Sequence, residues 1–105
     1  MSFSQKMIDD VWEKAEKPIF SSDISVEEKY KWRKDQCGAW ICYQEYGKRN
    51  TKYGWEIDHI TPESKGGKSI LSNLRPLHWK NNASKSDGKL ITVVTSNGRE
   101  NVDVS

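Results

Sequence analysis

Residues 54–88 read GWEIDHITPESKGGKSILSNLRPLHWKNNASKSDG, and the fold turns on this stretch. It sets an acid beside an imidazole, Asp58-His59, and follows them with paired glycines and a run of asparagines. A packed core has no use for that composition. Trp55 to Ile60 alternates well enough to form a strand. After Pro62, the run ESKGGKSILS reads as a flexible loop. Leu74 to Leu77 is short and holds Pro76, which suits an edge strand rather than a central one. His78 to Ser86 contains no breaker and precedes Gly88, so a short helix with a glycine cap is expected. The order is strand, loop, strand, helix.

On the N-terminal side, Met7, Ile8, Val11, Trp12 and Ala15 recur with helical spacing between Ser4 and Ala15, and Pro18 closes the run. Ser25 with Glu28 three residues on has the form of a capping box, which opens a second helix through about Lys34. Gly38 to Tyr46 is aromatic-rich and reads as a strand of poor alternation. On the C-terminal side, β-branched residues flank Asn97-Gly98, a strong hairpin signal, so two antiparallel strands are expected between Leu90 and Val104.

The chain has 105 residues, enough for one domain. Apolar residues make up 34% and charged residues 30%, so the core must be thin. Five tryptophans help fill it, because each aromatic buries roughly 150–250 Å². Trp12, Trp32, Trp40 and Trp55 are expected there, while Trp79 reads as either core, which is preferred, or nucleic-acid-facing. No apolar run approaches the roughly 20 residues of a membrane helix, and MSFSQKMIDD lacks the layout of a signal peptide. A soluble, cytoplasmic protein with no membrane partner is expected. In that setting Cys37 and Cys42 read as reduced thiols rather than a disulfide.

Net charge is only +2, but it is unevenly spread. Residues 46–89 carry nine Lys/Arg against four Asp/Glu, while the flanking segments are slightly acidic. Tyr46, Tyr53, Trp55 and Trp79 lie in the same basic segment, a combination that fits a polyanion such as nucleic acid.

Phosphodiester hydrolysis needs a base for the attacking water, a task suited to neutral imidazole. It also needs stabilisation of the developing negative charge, which a divalent cation supplies. Mg²⁺ takes hard oxygen ligands, usually one or two from the protein. Asp58 and the side-chain carbonyl of Asn82 are of that type. Neighbours on a strand leave on opposite faces, so Asp58 can hold an ion while His59 acts from another direction. A lone Asp-His pair is usually an ordinary surface pair; the joint spacing is what carries weight.

D58-H59-I60-x-P62, G66-G67, N73-L74-x-x-L77 and N82-x-x-K85 together resemble the HNH nuclease motif in its His-Asn-Asn variant. The separations from His59, 14 residues to Asn73 and 23 to Asn82, are similar to those in the HNH domain of RNA-guided nucleases. The resemblance implies a ββα-metal core, with His59 as general base and Asp58 and Asn82 as the metal ligands of one Mg²⁺ or Mn²⁺. It implies that Asn73 ties the loop and holds the catalytic His, and that Lys85 contacts phosphate, with Arg75, Lys80 and Lys68 as further nucleic-acid contacts. His78, one turn before Asn82, is near enough to meet metal or phosphate, though the motif does not require it. Many HNH domains also carry a zinc ribbon. Aligned on the motif, its positions are Lys34, Cys37, His78 and Asn81, of which only Cys37 is a good ligand and His78 a possible one, while Cys42 lies off-register.

The expected fold class is therefore α+β: a ββα-metal core over 54–88, a helical segment over 1–36 and a C-terminal hairpin over 89–105. The expected function is a metal-dependent DNA endonuclease or nicking enzyme. Its substrate would be double-stranded DNA, with nicked or branched forms among the candidates and RNA less favoured. One such site cuts one strand per visit, so a double-strand break would need a dimer or a partner. The alternative is a catalytically silent HNH-fold module that binds DNA or a protein. With a single good ligand at the ribbon positions, the purified protein should hold no stoichiometric zinc after dialysis. Elemental analysis checks this, and one zinc per chain would contradict it.

Overall fold

In the computed structural model, which describes residues 2–86 and 88–104, the chain is built from three helices and three two-stranded antiparallel hairpins. Helix α1 covers Gln5–Trp12, opened by the Ser4 side chain accepting from the Met7 amide. It buries Ile8, Val11 and Trp12. Helix α2 covers Val26–Lys31, and the Ser25 hydroxyl accepts from the Glu28 amide as the capping box requires. Its acids stand in the first turn and its lysines in the last, matching the helix dipole.

Both helices are shorter than their apolar patterns suggest. The first stops at Trp12, yet Ala15 stays buried because the chain after the helix still packs on the core. The second stops at Lys31, because Trp32 turns extended and begins strand β1, Trp32–Lys34, instead of continuing to Lys34. Strand β2, Trp40–Cys42, pairs with β1, and the aromatic run then tightens into a 3-10 turn, Tyr43–Glu45, rather than extending to Tyr46.

Strands β3, Trp55–His59, and β4, Leu74–His78, pair with Asp58 opposite Arg75 and His59 opposite Leu74. A two-stranded ribbon has no central strand, so Pro76 removes no ladder bond that a third strand would need. Helix α3, Trp79–Ala83, follows β4 without a loop. It ends at Ala83, with Ser84 as its C-cap, and does not reach Ser86. Gly88, at φ +81°, belongs to a separate turn closed by Ser86 and Lys89 and is not the helix cap. The tail forms β5, Val94–Asn97, and β6, Glu100–Asp103. Gly98, at φ +66°, takes the first position of the two-residue turn.

Alternation along β3 sends Trp55 and Ile57 to one face of the β3–β4 ribbon, where they meet Ile8, Val11 and Trp12 of α1 in the main core. Trp12 and Trp55 are fully buried with ring centroids 5.0 Å apart. Trp32, Trp40 and Trp79, in contrast, are only half-buried. Trp32 and Trp40 line an open cleft with Phe20 and Tyr53, so they are not part of the core.

A polar hub joins the remaining parts. Asp35 is 2% exposed, and its carboxylate accepts four hydrogen bonds. One oxygen takes the amides of Cys37 and Ala39 at 3.0 and 2.9 Å. The other takes the His78 amide at 2.9 Å and Asn81 Nδ2 at 3.0 Å. Asn81, fully buried, completes its amide with the Val93 and Val94 amides on Oδ1 and the Val94 carbonyl on Nδ2. Two side chains thus fasten the β1–β2 turn, the start of α3 and strand β5. Asn101 adds a second tie from the tail, its side chain bonding both the amide and the carbonyl of Trp40.

Asp35→Ala leaves four N–H groups without an acceptor, at roughly 1–3 kcal/mol for each that water cannot reach. The variant should lose about 3 kcal/mol or more in urea unfolding, with Asp35→Asn intermediate. A loss below about 1 kcal/mol for Asp35→Ala would show that the hub does not hold the fold.

Candidate active site

The face of β3 opposite the core carries Glu56 and Asp58, two positions apart, and α3 with the segment after it lies over them. Asn82, on α3, donates from Nδ2 to Glu56 Oε1 at 2.7 Å. Arg49 grips the same carboxylate twice, at 2.6 and 2.8 Å. Burial pushes the Glu56 carboxyl up, but the hydrogen bonds from Arg49 and Asn82 outweigh it, and the group lies below its ordinary value.

Asp58 is 5% exposed. Arg75 Nε, from the position opposite on β4, bonds one carboxylate oxygen at 2.7 Å, and Lys85 Nζ bonds the other. Lys85 Nζ also donates to the His59 carbonyl at 3.0 Å. Two of the four cations expected on nucleic acid, Arg75 and Lys85, thus sit against Asp58. A buried carboxylate needs such partners, since an unpaired charge there is costly.

His59 ends β3 and leaves on the other side of the ribbon. Its Nε2 lies 2.8 Å from Ser69 Oγ and 4.0 Å from Glu63 Oε1, and the Phe3 ring stands 6.1 Å away. Asn73 closes the loop between the strands. Its Oδ1 accepts from the Thr61 amide at 2.8 Å, while Nδ2 donates to the carbonyls of Thr61 and Lys68 at 3.1 and 2.9 Å. Gly67 is required by this closure, because a Cβ there would fall 1.7 Å from the Thr61 carbonyl oxygen.

Residues 37–88, about half of the chain, match the family model for HNH endonuclease. Through that segment the chain belongs to the HNH endonuclease family. A search of curated proteins and a search of solved structures each found no match. The HNH family comprises nucleases, which act on nucleic acid and typically use a divalent metal.

In this HNH domain, among the described residues, no group of three or more His, Cys, Asp and Glu is arranged to hold a metal. The oxygen donors on the α3 side of β3 are of another type. Asp58 offers a carboxylate, and Asn82, with Nδ2 on Glu56, keeps its amide oxygen at the other end of the group. Each carboxylate oxygen has a second lone pair beyond the one its cation takes. Hard oxygens of this kind fit Mg²⁺ or Mn²⁺ and do not favour a soft ion.

The other cations of the basic segment are placed differently. Lys80 lies over the Trp79 ring at 5.5 Å and 3.8 Å from Asp103. Lys68 is exposed on the loop that Asn73 closes, and Lys52 and Lys89 are exposed as well. His78 is occupied by the backbone: Nδ1 accepts from the Lys80 amide at 3.1 Å, and Nε2 therefore donates to the Lys52 carbonyl at 2.7 Å. It caps α3 and has no ring nitrogen left for metal or phosphate. Glu56 was not singled out by its sequence. The one signal for it was its place two residues before Asp58, which puts both acids on one strand face.

Burial lowers the His78 pKa below its ordinary 6.5, and the pull of the Lys52 carbonyl and Asp35 does not overcome this. The folded chain therefore resists a proton that the unfolded chain takes up. This contribution to stability is complete above the unfolded pKa and declines as pH falls below it. Urea unfolding should show the protein weaker at pH 5 than at pH 7, by at most about 1.4 kcal/mol per pH unit from this group. His78→Gln should flatten part of that dependence. Equal stability of the parent at both pH values would contradict the assignment.

Proposed function

We propose that this protein is a metal-dependent DNA endonuclease that cuts one strand per visit and leaves 5′-phosphate and 3′-hydroxyl ends. The observation that supports the reading is that Asp58 shares a face of β3 with Glu56, to which Asn82 of α3 is bonded, with His59 next in the chain at the strand's end. All four lie inside the segment that matches the family. A phosphodiester lying across that end of the ribbon would meet both sides.

Asp58 and the Asn82 amide oxygen would hold one Mg²⁺ or Mn²⁺. When bound, the ion supplies Lewis-acid stabilisation of the charge on the phosphoryl and leaving oxygens. His59 takes the proton of the attacking water. In the tautomer whose Nε2–H donates to the Ser69 hydroxyl, the accepting atom is Nδ1, and the ring is held from the far side. Asn73 keeps that far side in place by fastening the loop from Thr61 to Lys68, which carries Ser69 at its end. Arg75 and Lys85 balance Asp58, and exposed Lys68 on the same loop meets the phosphate backbone. Lys80 adds to the field near α3. Binding through such contacts has little sequence preference and weakens steeply with salt.

Supercoiled plasmid, incubated with Mg²⁺ or Mn²⁺ and separately with a chelator, tests the reading. The parent should nick in the presence of the ion only, and should act on duplex DNA in preference to an RNA duplex of the same length. His59→Ala should slow nicking by about 10²–10⁴-fold while leaving Mn²⁺ and DNA binding near the parent level. Asp58→Asn should weaken Mn²⁺ binding itself. A parent that never nicks with either ion, or a His59→Ala variant as fast as the parent, would overturn the proposal.

A further inference from the structure

Asn82 can serve as an oxygen ligand only if its amide is turned the right way. An asparagine side chain has an oxygen and a nitrogen of nearly equal size, and rotation by half a turn exchanges them. With the nitrogen toward an ion, the group repels it. Something must therefore select one orientation, and among the described residues the Asn82 side-chain amide bonds Glu56, whose Oε1 accepts from Nδ2 at 2.7 Å. Glu56 is itself fixed, since Arg49 holds both of its oxygens from the other side at 2.6 and 2.8 Å. Its side chain is 19% exposed and it shares a strand face with Asp58.

We infer that Glu56 is a positioning residue, which orients the Asn82 amide so that the oxygen faces the ion, with Arg49 holding Glu56 in place. This inference rests on the proposed metal role of Asp58 and Asn82 and deepens it. An acceptor at Glu56 leaves the nitrogen no reason to turn toward the metal, and the charge on Arg49 keeps the carboxylate from competing for the ion. Partners of metal ligands commonly change metal affinity by 10–100-fold when removed.

The test is Mn²⁺ affinity, measured by calorimetry and by the spin-resonance signal of free Mn²⁺, with thermal unfolding recorded for every variant. Glu56→Ala should bind Mn²⁺ about 10–100-fold more weakly than the parent. Glu56→Gln keeps an acceptor oxygen for Asn82 and should stay within a few-fold of the parent; a loss as large as that of Glu56→Ala would mark Glu56 as a direct ligand and overturn the inference. Adding Asn82→Asp to Glu56→Ala should restore affinity, because the two oxygens of a carboxylate are equivalent and need no orienting. If Glu56→Ala fails to fold, a second pair decides. Asn82→Asp alone sets two carboxylates against each other and should bind weakly, while Asn82→Asp with Glu56→Gln should recover. Unchanged affinity in a folded Glu56→Ala, or no recovery in the double variants, overturns the inference. A parent with no measurable Mn²⁺ binding overturns the metal role of Asp58 and Asn82 instead.

Discussion

The fold of this small chain depends on one buried carboxylate. Asp35 accepts four N–H groups and pairs through one oxygen with the fully buried amide of Asn81. Three separate hairpins and a five-residue helix cannot hold each other by apolar contact alone when the main core is a single cluster around Trp12 and Trp55. Hydrogen bonds in a dry site supply the register that the thin core lacks. The ribbon positions of other HNH domains, here Lys34, Cys37, His78 and Asn81, surround this hub. Asp35 and Asn81 fasten the β1–β2 turn, the start of α3 and β5, and Thr95 adds a bond to the Cys37 carbonyl at 2.8 Å.

What the hub positions is the β3–β4 ribbon with α3 across it. The two faces of that ribbon have opposite character. One is apolar and closes on α1, and the other holds two acids and an asparagine, balanced by Arg49, Arg75 and Lys85. Three of the nine cations in residues 46–89 are therefore set against acids of the same segment. The cations left on the surface for a polyanion include Lys52, Lys68 and Lys89. On the proposed function, the site would use its positive charge in two ways, to stabilise buried carboxylates and to draw nucleic acid.

The motif was legible in the sequence because its residues are chemically unusual and separated by fixed distances. The strands at Asp58 and Leu74, the loop with its paired glycines and the tail hairpin follow from it and from local turn chemistry. Helix ends were less so. Trp32 looks like the continuation of a helical pattern, but its pairing with Cys42 is a tertiary contact that no local signal announces. The same holds for Ser84 to Gly88, where a glycine after a breaker-free run suggested a cap and instead serves a later turn. Asp35, Glu56 and Asn81 have no periodicity and belong to no apolar stripe. Their importance comes from partners far away in the chain, such as Asn81 and Val94 for Asp35 and its hub, or Asn82 for Glu56.

The central claim is that Asp58 and Asn82 form the cation site of the HNH domain, beside and not including His59. Crystals of the parent protein soaked in Mn²⁺, with diffraction collected at the manganese absorption edge, test it directly. One anomalous peak is expected, with an Asp58 carboxylate oxygen and Asn82 Oδ1 as ligands and the His59 ring outside bonding distance. A peak bound by His59 or by Cys37, or crystals with no ordered ion at Asp58, would contradict it.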